Sequence, residues 1–331
     1  MALALVAVAA PLGWFCAKGR AIAPQPRVQH ALAIVPPGPA LVVTLDLARL
    51  REQAAGRALL GRSLAGIGNG ACESKLAEDV DELALAMPGD AAPERPNPDE
   101  LALVGTGRFL GRDVASCAEA RVSAAHGDPV RTTIGSFTSV RDRKKTGEVA
   151  ARDGLLVVSD GLYLRELIDA ADGTRAEGTP AERARDELHA ELRRVVGAGA
   201  PIIATLALPP GWLARTLADP SADLSPLATI RSAAVRVNVD TGIDVAGVLA
   251  CDGIDPCARL ERFFGTARSD FSAASPDAAA LFGRLALVRH DARIDFTAHL
   301  TPDDLQPIAA AAPSATAEPR PAAPSASASA P

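Results

Sequence analysis

The chain has 331 residues, an apolar fraction of 48%, only 3% aromatic residues and a formal net charge of -6. That length and apolar content suit a folded protein with one large core or two of ordinary size. The negative balance and scarce aromatics argue against a nucleic-acid partner, which needs a concentrated positive face and stacking platforms. Lysine occurs only at Lys18, Lys75, Lys144 and Lys145. The one dense basic run, Arg141 to Lys145 followed by Thr146-Gly147, is read as a solvated hairpin tip.

Residues 1–38 form an apolar segment and a Pro-rich spacer. Met1 to Ala17 carries no charged side chain, a length suited to a membrane anchor or signal core. Ala21-Ile22-Ala23 precedes Pro24, a poor cleavage context, and Phe15 before Cys16 does not suit lipidation. An uncleaved anchor is therefore expected, with the membrane as a partner through this segment. Lys18 and Arg20 beyond it run against the positive-inside rule for an exported body, a conflict that an upstream start codon would remove.

Residues 39–178 are expected to form a first α+β unit. Leu41 to Leu45 reads as a buried strand and Asp46 as the N-cap of a helix over 47–64. Asp81 to Met87 and Leu101 to Phe109 read as strands flanking an exposed loop over Pro88 to Pro98. A helix opens at Cys117, a strand pair follows over Val130 to Val140 and Glu148 to Val158, and Leu162 to Ala171 closes the unit as a helix.

Residues 179–198 carry the clearest local signal: Thr179-Pro180-Ala181-Glu182 is a capping box with proline at the first helical position, and Gly197 is placed to stop the helix. A second α+β unit follows over 199–311. In it Val235, Val237 and Val239 alternate with polar residues up to a Thr241-Gly242 reversal, and a second hairpin turns at His290-Asp291. A short last helix is expected to about Ala311, and 312–331 is an Ala, Pro and Ser tract expected to be disordered.

The two units resemble one another. Pro39-Ala40-Leu41-Val42-Val43-Thr44-Leu45 leads to Cys117 much as Pro201-Ile202-Ile203-Ala204-Thr205-Leu206 leads to Cys257. The expected fold class is accordingly α+β: two similar units of mainly antiparallel sheet with helices packed on one face, arising by internal duplication.

Cys16 aside, the cysteines are two per unit: Cys72, Cys117, Cys251 and Cys257. The favoured reading is structural disulfides, Cys72 with Cys117 and Cys251 with Cys257, each within one unit. Free thiols and a metal site are the alternatives. Such bridges imply an oxidising compartment, so an extracytoplasmic (periplasmic) location is expected, tethered to the inner membrane, with secretion as the alternative.

No residue set for catalysis, cofactor or metal emerges. Gly105-Thr106-Gly107 lacks the third glycine of a dinucleotide fingerprint, and no GxxxxGK[ST], GxSxG or HExxH occurs. The histidines His30, His126, His189, His290 and His299 are scattered, with only His290 and His299 close in sequence. The leading expectation is a non-enzymatic envelope protein acting as an interaction or binding module, with an envelope protein as partner. The alternatives are a carrier of a small apolar ligand and an enzyme whose site is not contiguous in sequence.

Overall fold

Leu41 to Leu45 forms the middle of strand β1 (Pro39–Asp46), and Asp46 caps helix α2 (Leu47–Glu52) by accepting from the Arg49 amide. The structure, a computed structural model, describes residues 30–57, 60, 76, 78–89, 101–174, 177–209, 212, 225–274 and 283–301. A short helix α1 (Ala31–Ile34) precedes β1. After α2 come β2 (Val80–Pro88), β3 (Ala102–Gly107), α3 (Gly111–Ala124), β4 (Pro129–Ile134), β5 (Phe137–Asp142), β6 (Glu148–Arg152), β7 (Leu155–Ser159) and α4 (Gly161–Ala171). Then follow α5 (Pro180–Val196), β8 (Ile202–Ala207), a 3-10 turn (Ser225–Thr229), β9 (Ile230–Asn238), β10 (Ile243–Cys251), α6 (Ile254–Ala274), β11 (Leu285–His290) and β12 (Arg293–Leu300). The anchor segment, most of the 88–98 loop, the last helix beyond Thr301 and the Ala/Pro/Ser tract lie outside the described residues.

The fold is α+β. The twelve strands of the described residues join one antiparallel sheet in the order β11-β12-β10-β9-β8-β1-β2-β3-β7-β6-β5-β4. The two halves meet at its centre, where β1 pairs antiparallel with β8 from Leu41↔Leu206 to Leu45↔Ile202. Each half connects its strands alike. Three successive neighbouring strands lead to a helix, and a meander then brings the last strand of the half back beside the third. The first half has one hairpin more. Val130 to Val140 and Glu148 to Val158 are each two strands rather than one, because Gly135 (φ +55°) and Gly154 (φ +76°) let the chain reverse where L side chains are strained.

Helices cover both faces, not one. On the first face, α2 and α3 pack on Val43, Leu45, Leu83, Leu85, Leu103 and Leu156, and α6 packs on Leu249, Ile294 and Leu287. On the second, α1 and α4 cover Ala84, Ala102, Val104 and Val157, and α5 covers Ile203, Ala234 and Val248. The cause lies in the strands: β3 is buried at every position, and a strand buried on both sides needs a layer on each.

A row of side chains crosses the whole first face. It runs from Leu287 through Phe296, Gly247, Val235 and Ala204 to Val43, then through Leu85, Leu103, Val158, Val149 and Val140 to Arg131. It is apolar or glycine until the edge strand, where Arg131 pairs with Glu119 of α3 at 2.6 Å. Helix α2 knits the halves together on this face, since Leu47 and Leu50 share a core with Val239 and Ile243 of the β9–β10 turn.

Three sequence expectations shift in register. Cys117 does not open α3 but sits in its second turn, because the helix starts at Gly111, whose amide donates to the Asp153 carboxylate at 2.9 Å. Helix α2 stops at Gln53 (ψ 137°) before a short helical turn over residues 54–57, and residues 61–75 lie outside the described residues. The matched motifs also fall on opposite sides: Leu41 faces the first face, whereas Ile203, its partner in that match, faces α5 on the second.

Candidate functional site

Two features of the sheet stand out as places where chemistry or binding could act. The first is a polar seam beneath α5. The capping box forms as expected, with the Glu182 amide donating to Thr179 Oγ1 at 3.3 Å and the Thr179 amide to Glu182 Oε2 at 2.7 Å, and Gly197 ends the helix at φ +93°. Helical spacing then aligns Arg185, His189 and Arg193 on one stripe facing the strands. Arg185 Nε donates to the Gly38 carbonyl at 2.9 Å, and Arg193 Nη1 to Thr44 Oγ1 at 3.3 Å. His189, 6% exposed, lies 2.8 Å from Thr205 Oγ1 and 2.9 Å from the Pro39 carbonyl.

This seam is electrostatically costly. Burial lowers the His189 pKa below its ordinary value, and the neighbouring Arg193 and Arg185 charges push the same way against the Pro39 carbonyl and Asp186. Burial also works against the charge of Arg193, which the Glu82 carboxylate supports. Glu82 accepts from the Ala31 amide at 3.2 Å and lies 3.3 Å from His30 Nδ1, so it holds α1 beside the seam. Arg185 and Arg193 each retain a buried Nη2 without a hydrogen-bond partner.

The second feature is a half-buried apolar strip on the first face, between α2 and α6. In the first half, Leu83, Leu85, Leu103 and Leu156 are buried in the core they share with α2 and α3. In the second half, Ile202, Ala204, Val235, Val237 and Val245 are only half-buried, although Ile202, Ala204, Val237 and Val245 pack against the same core. Gln53 at the end of α2 donates to Asp240 at 2.5 Å and forms a polar rim at one end. Such a strip presents apolar area with no polar group in its floor, which suits an apolar surface of a partner.

Cys251 and Cys257 form a disulfide, with Cα atoms 5.3 Å apart. It ties the end of β10 to the first turn of α6, and Cys257 is fully buried against Leu260 and Ile294. Cys117 is disulfide-bonded as well, and Cys72 lies outside the described residues. Gly105-Thr106-Gly107 is part of β3, where a Cβ at Gly105 would come 3.0 Å from the Leu156 side chain, so it is a packing position. The run from Arg141 to Lys145 turns between β5 and β6, with the Asp142 carboxylate accepting from the Asp128 and Lys144 amides at 3.1 Å each.

The fold does not bring His290 and His299 together. His290 lies 4.0 Å from Asp295, and His299 lies 2.6 Å from Asp244. Among the described residues no group of three or more His, Cys, Asp or Glu is placed to hold a metal ion, and no helix is long and apolar enough to cross a membrane. The seam residues Thr44, Glu82, Arg185, Thr205 and Arg193 carry no motif of their own in the sequence. The usable signal was the i, i+4, i+8 stripe Arg185, His189, Arg193 in a helix whose limits were already marked.

No protein-family model matches the chain, and no curated protein matches it significantly. Two solved structures resemble the fold, those of crystal form III and crystal form I of TP0453, with TM-scores of 0.46 and 0.47 at 10% identity. The alignments cover 82% and 86% of this chain and 93% and 98% of those chains.

Proposed function

We propose that the protein is a non-enzymatic, membrane-anchored extracytoplasmic protein that acts as an interaction module, binding an envelope protein through the apolar strip of the second half. The location rests on the Cys251–Cys257 bond, since a persistent structural disulfide belongs to an oxidising compartment. The binding role rests on the half-buried strip formed by Ile202, Val235, Val237 and Val245. The apolar segment 1–17 supplies the tether.

We further infer that the two halves descend from one duplicated unit. Two facing sets support it: Leu45, Leu83, Gly105 and Leu156 lie in a row across the first half, and Ala204, Val235, Gly247 and Phe296 lie in the corresponding row of the second. In both, a glycine on the third strand lies under a large side chain from the returning strand. This correspondence keeps both sets on the same face, which the Pro39/Pro201 match does not.

Intact-mass measurement after alkylation of the native protein, with and without prior reduction, tests the location. Cys72, Cys117, Cys251 and Cys257 protected until reduction is the expected result, and four freely alkylated thiols overturn it. For the binding role, Val237→Glu and Val245→Glu are expected to release a crosslinked envelope partner while the fold persists. Unchanged crosslinking by both variants overturns that part.

A further inference from the structure

We propose that β11 is a pairing edge for a second copy of this chain, the two β11 strands running antiparallel across a twofold axis perpendicular to the sheet. Among the described residues β11 ends the sheet, and no described strand lies on its outer side. Edge strands usually carry devices that prevent such pairing: proline, lysine, a bulge or outward charge. β11 has none of the first three. Its register with β12 is regular from Leu285↔Ala298 to His290↔Arg293, and it contains neither proline nor lysine. Its arginine is turned back onto the fold, with Arg289 Nε donating to Glu261 of α6 at 2.7 Å. Among the described residues, Arg268 covers the first carbonyl of the strand, that of Leu285, at 3.3 Å. The opposite edge, β4, differs: it begins with Pro129 and exposes Thr132 and Thr133, while its Arg131, like Arg289, is paired with a helix glutamate.

The exposed side chains fit a second copy. A perpendicular twofold axis keeps each face on its own side, so opposed residue numbers add to an even sum. The register centred on Leu287 sets Leu287 opposite Leu287 and sets Ala286 opposite Val288 on the other face. Val288 is 52% exposed in one copy, and this register covers it with an apolar neighbour. Arg289 falls opposite Leu285 and keeps its bond to Glu261. The chain already joins its own halves in this way, by the antiparallel β1–β8 pair. An isologous β11 contact closes at two copies, whereas a β11-to-β4 contact would propagate.

Crosslinking of the full-length chain in a mild detergent tests the register. Copies carrying Ala286→Cys are mixed with copies carrying Val288→Cys and oxidised briefly, with Arg121→Cys as an exposed control. The expected result is dimer formation by the mixture at about ten times the level of either variant alone or of the control. Sedimentation of the wild type and Val288→Lys is the second measurement, and the lysine is expected to weaken the dimer at least tenfold while circular dichroism stays unchanged. A mixture that crosslinks no better than the control overturns the proposal, as does a sedimenting species that Val288→Lys does not alter.

Discussion

His189 Nδ1 lies 2.8 Å from Thr205 Oγ1, and this contact pins α5 onto the sheet at the line where the two halves meet. The Pro39 carbonyl on the other side of the ring can only accept, so Nε2 carries a proton, and in the neutral ring that burial favours Nδ1 accepts from the Thr205 hydroxyl. Because burial depresses the folded value, this contribution is complete above the unfolded pKa of about 6.5 and is lost as pH falls through the folded one. Denaturant unfolding at pH 7.5 and pH 5 is expected to show lower stability at pH 5. His189→Gln is expected to flatten that difference. His189→Ala is expected to cost about 2–4 kcal/mol at pH 7.5, from the cavity and the unsatisfied Thr205 and Pro39 groups.

Phe296 lies across Gly247 on the first face, so close that a Cβ at position 247 would come 2.2 Å from its ring. The same atom would approach the Ala234 carbonyl oxygen at 2.5 Å. Gly247→Ala is expected to destabilise by about 1–3 kcal/mol, the usual range for overpacking. Phe296→Leu is not expected to restore it, because the backbone oxygen remains in the way. Urea midpoints of the two single variants and the double variant measure the effect.

The elements with strong local chemistry were legible from the residues alone: the α5 capping box, the Asp46 cap and the β9–β10 alternation all have their own hydrogen bonds or period. The missed features depend on faint local signals or on distant partners. The two extra hairpin turns hinge on Gly135 and Gly154, short signals inside runs that otherwise read as continuous strands. Two-sided burial of β3 looks in sequence like an ordinary apolar stretch, which is why helices were expected on only one face. The seam could not be read because Thr44 and Thr205 acquire their role only when α5 crosses them, about 150 residues from Thr44 in sequence.

The Cys251–Cys257 loop is short, so the entropic gain from closing it is modest. The loop-length relation gives about 2 kcal/mol for a loop of this size. Cys251→Ser with Cys257→Ser is expected to lower stability by about that amount and to make it insensitive to reductant. The wild type is expected to lose stability when reduced. Thermal melts with and without dithiothreitol check both outcomes.

Asp172, the residue that ends α4, organises the extra hairpin of the first half. Its carboxylate accepts from Ser136 Oγ at 2.6 Å, the Ser136 amide at 3.3 Å and Arg152 Nη1 at 2.8 Å. Arg152 also stands 4.8 Å over the buried Phe137 ring, so one carboxylate fixes both the β4–β5 turn and the cation above the aromatic. The Ser136 hydroxyl, then the Ser136 amide and the Arg152 charge, hold the Asp172 pKa below the ordinary carboxylate range despite partial burial. The sign follows: this stabilisation is present above the unfolded carboxylate pKa and fades as pH falls through the folded value. Asp172→Asn is expected to cost about 1–3 kcal/mol at neutral pH through the weakened charge-assisted bonds, and much less once acid has protonated the wild-type carboxylate. Hydrogen exchange at the Ser136 and Phe137 amides provides the local readout. Faster exchange in Asp172→Asn at neutral pH, converging with the wild type in acid, is the expected pattern, and equal protection in the two proteins at neutral pH would show that the carboxylate does not hold the turn.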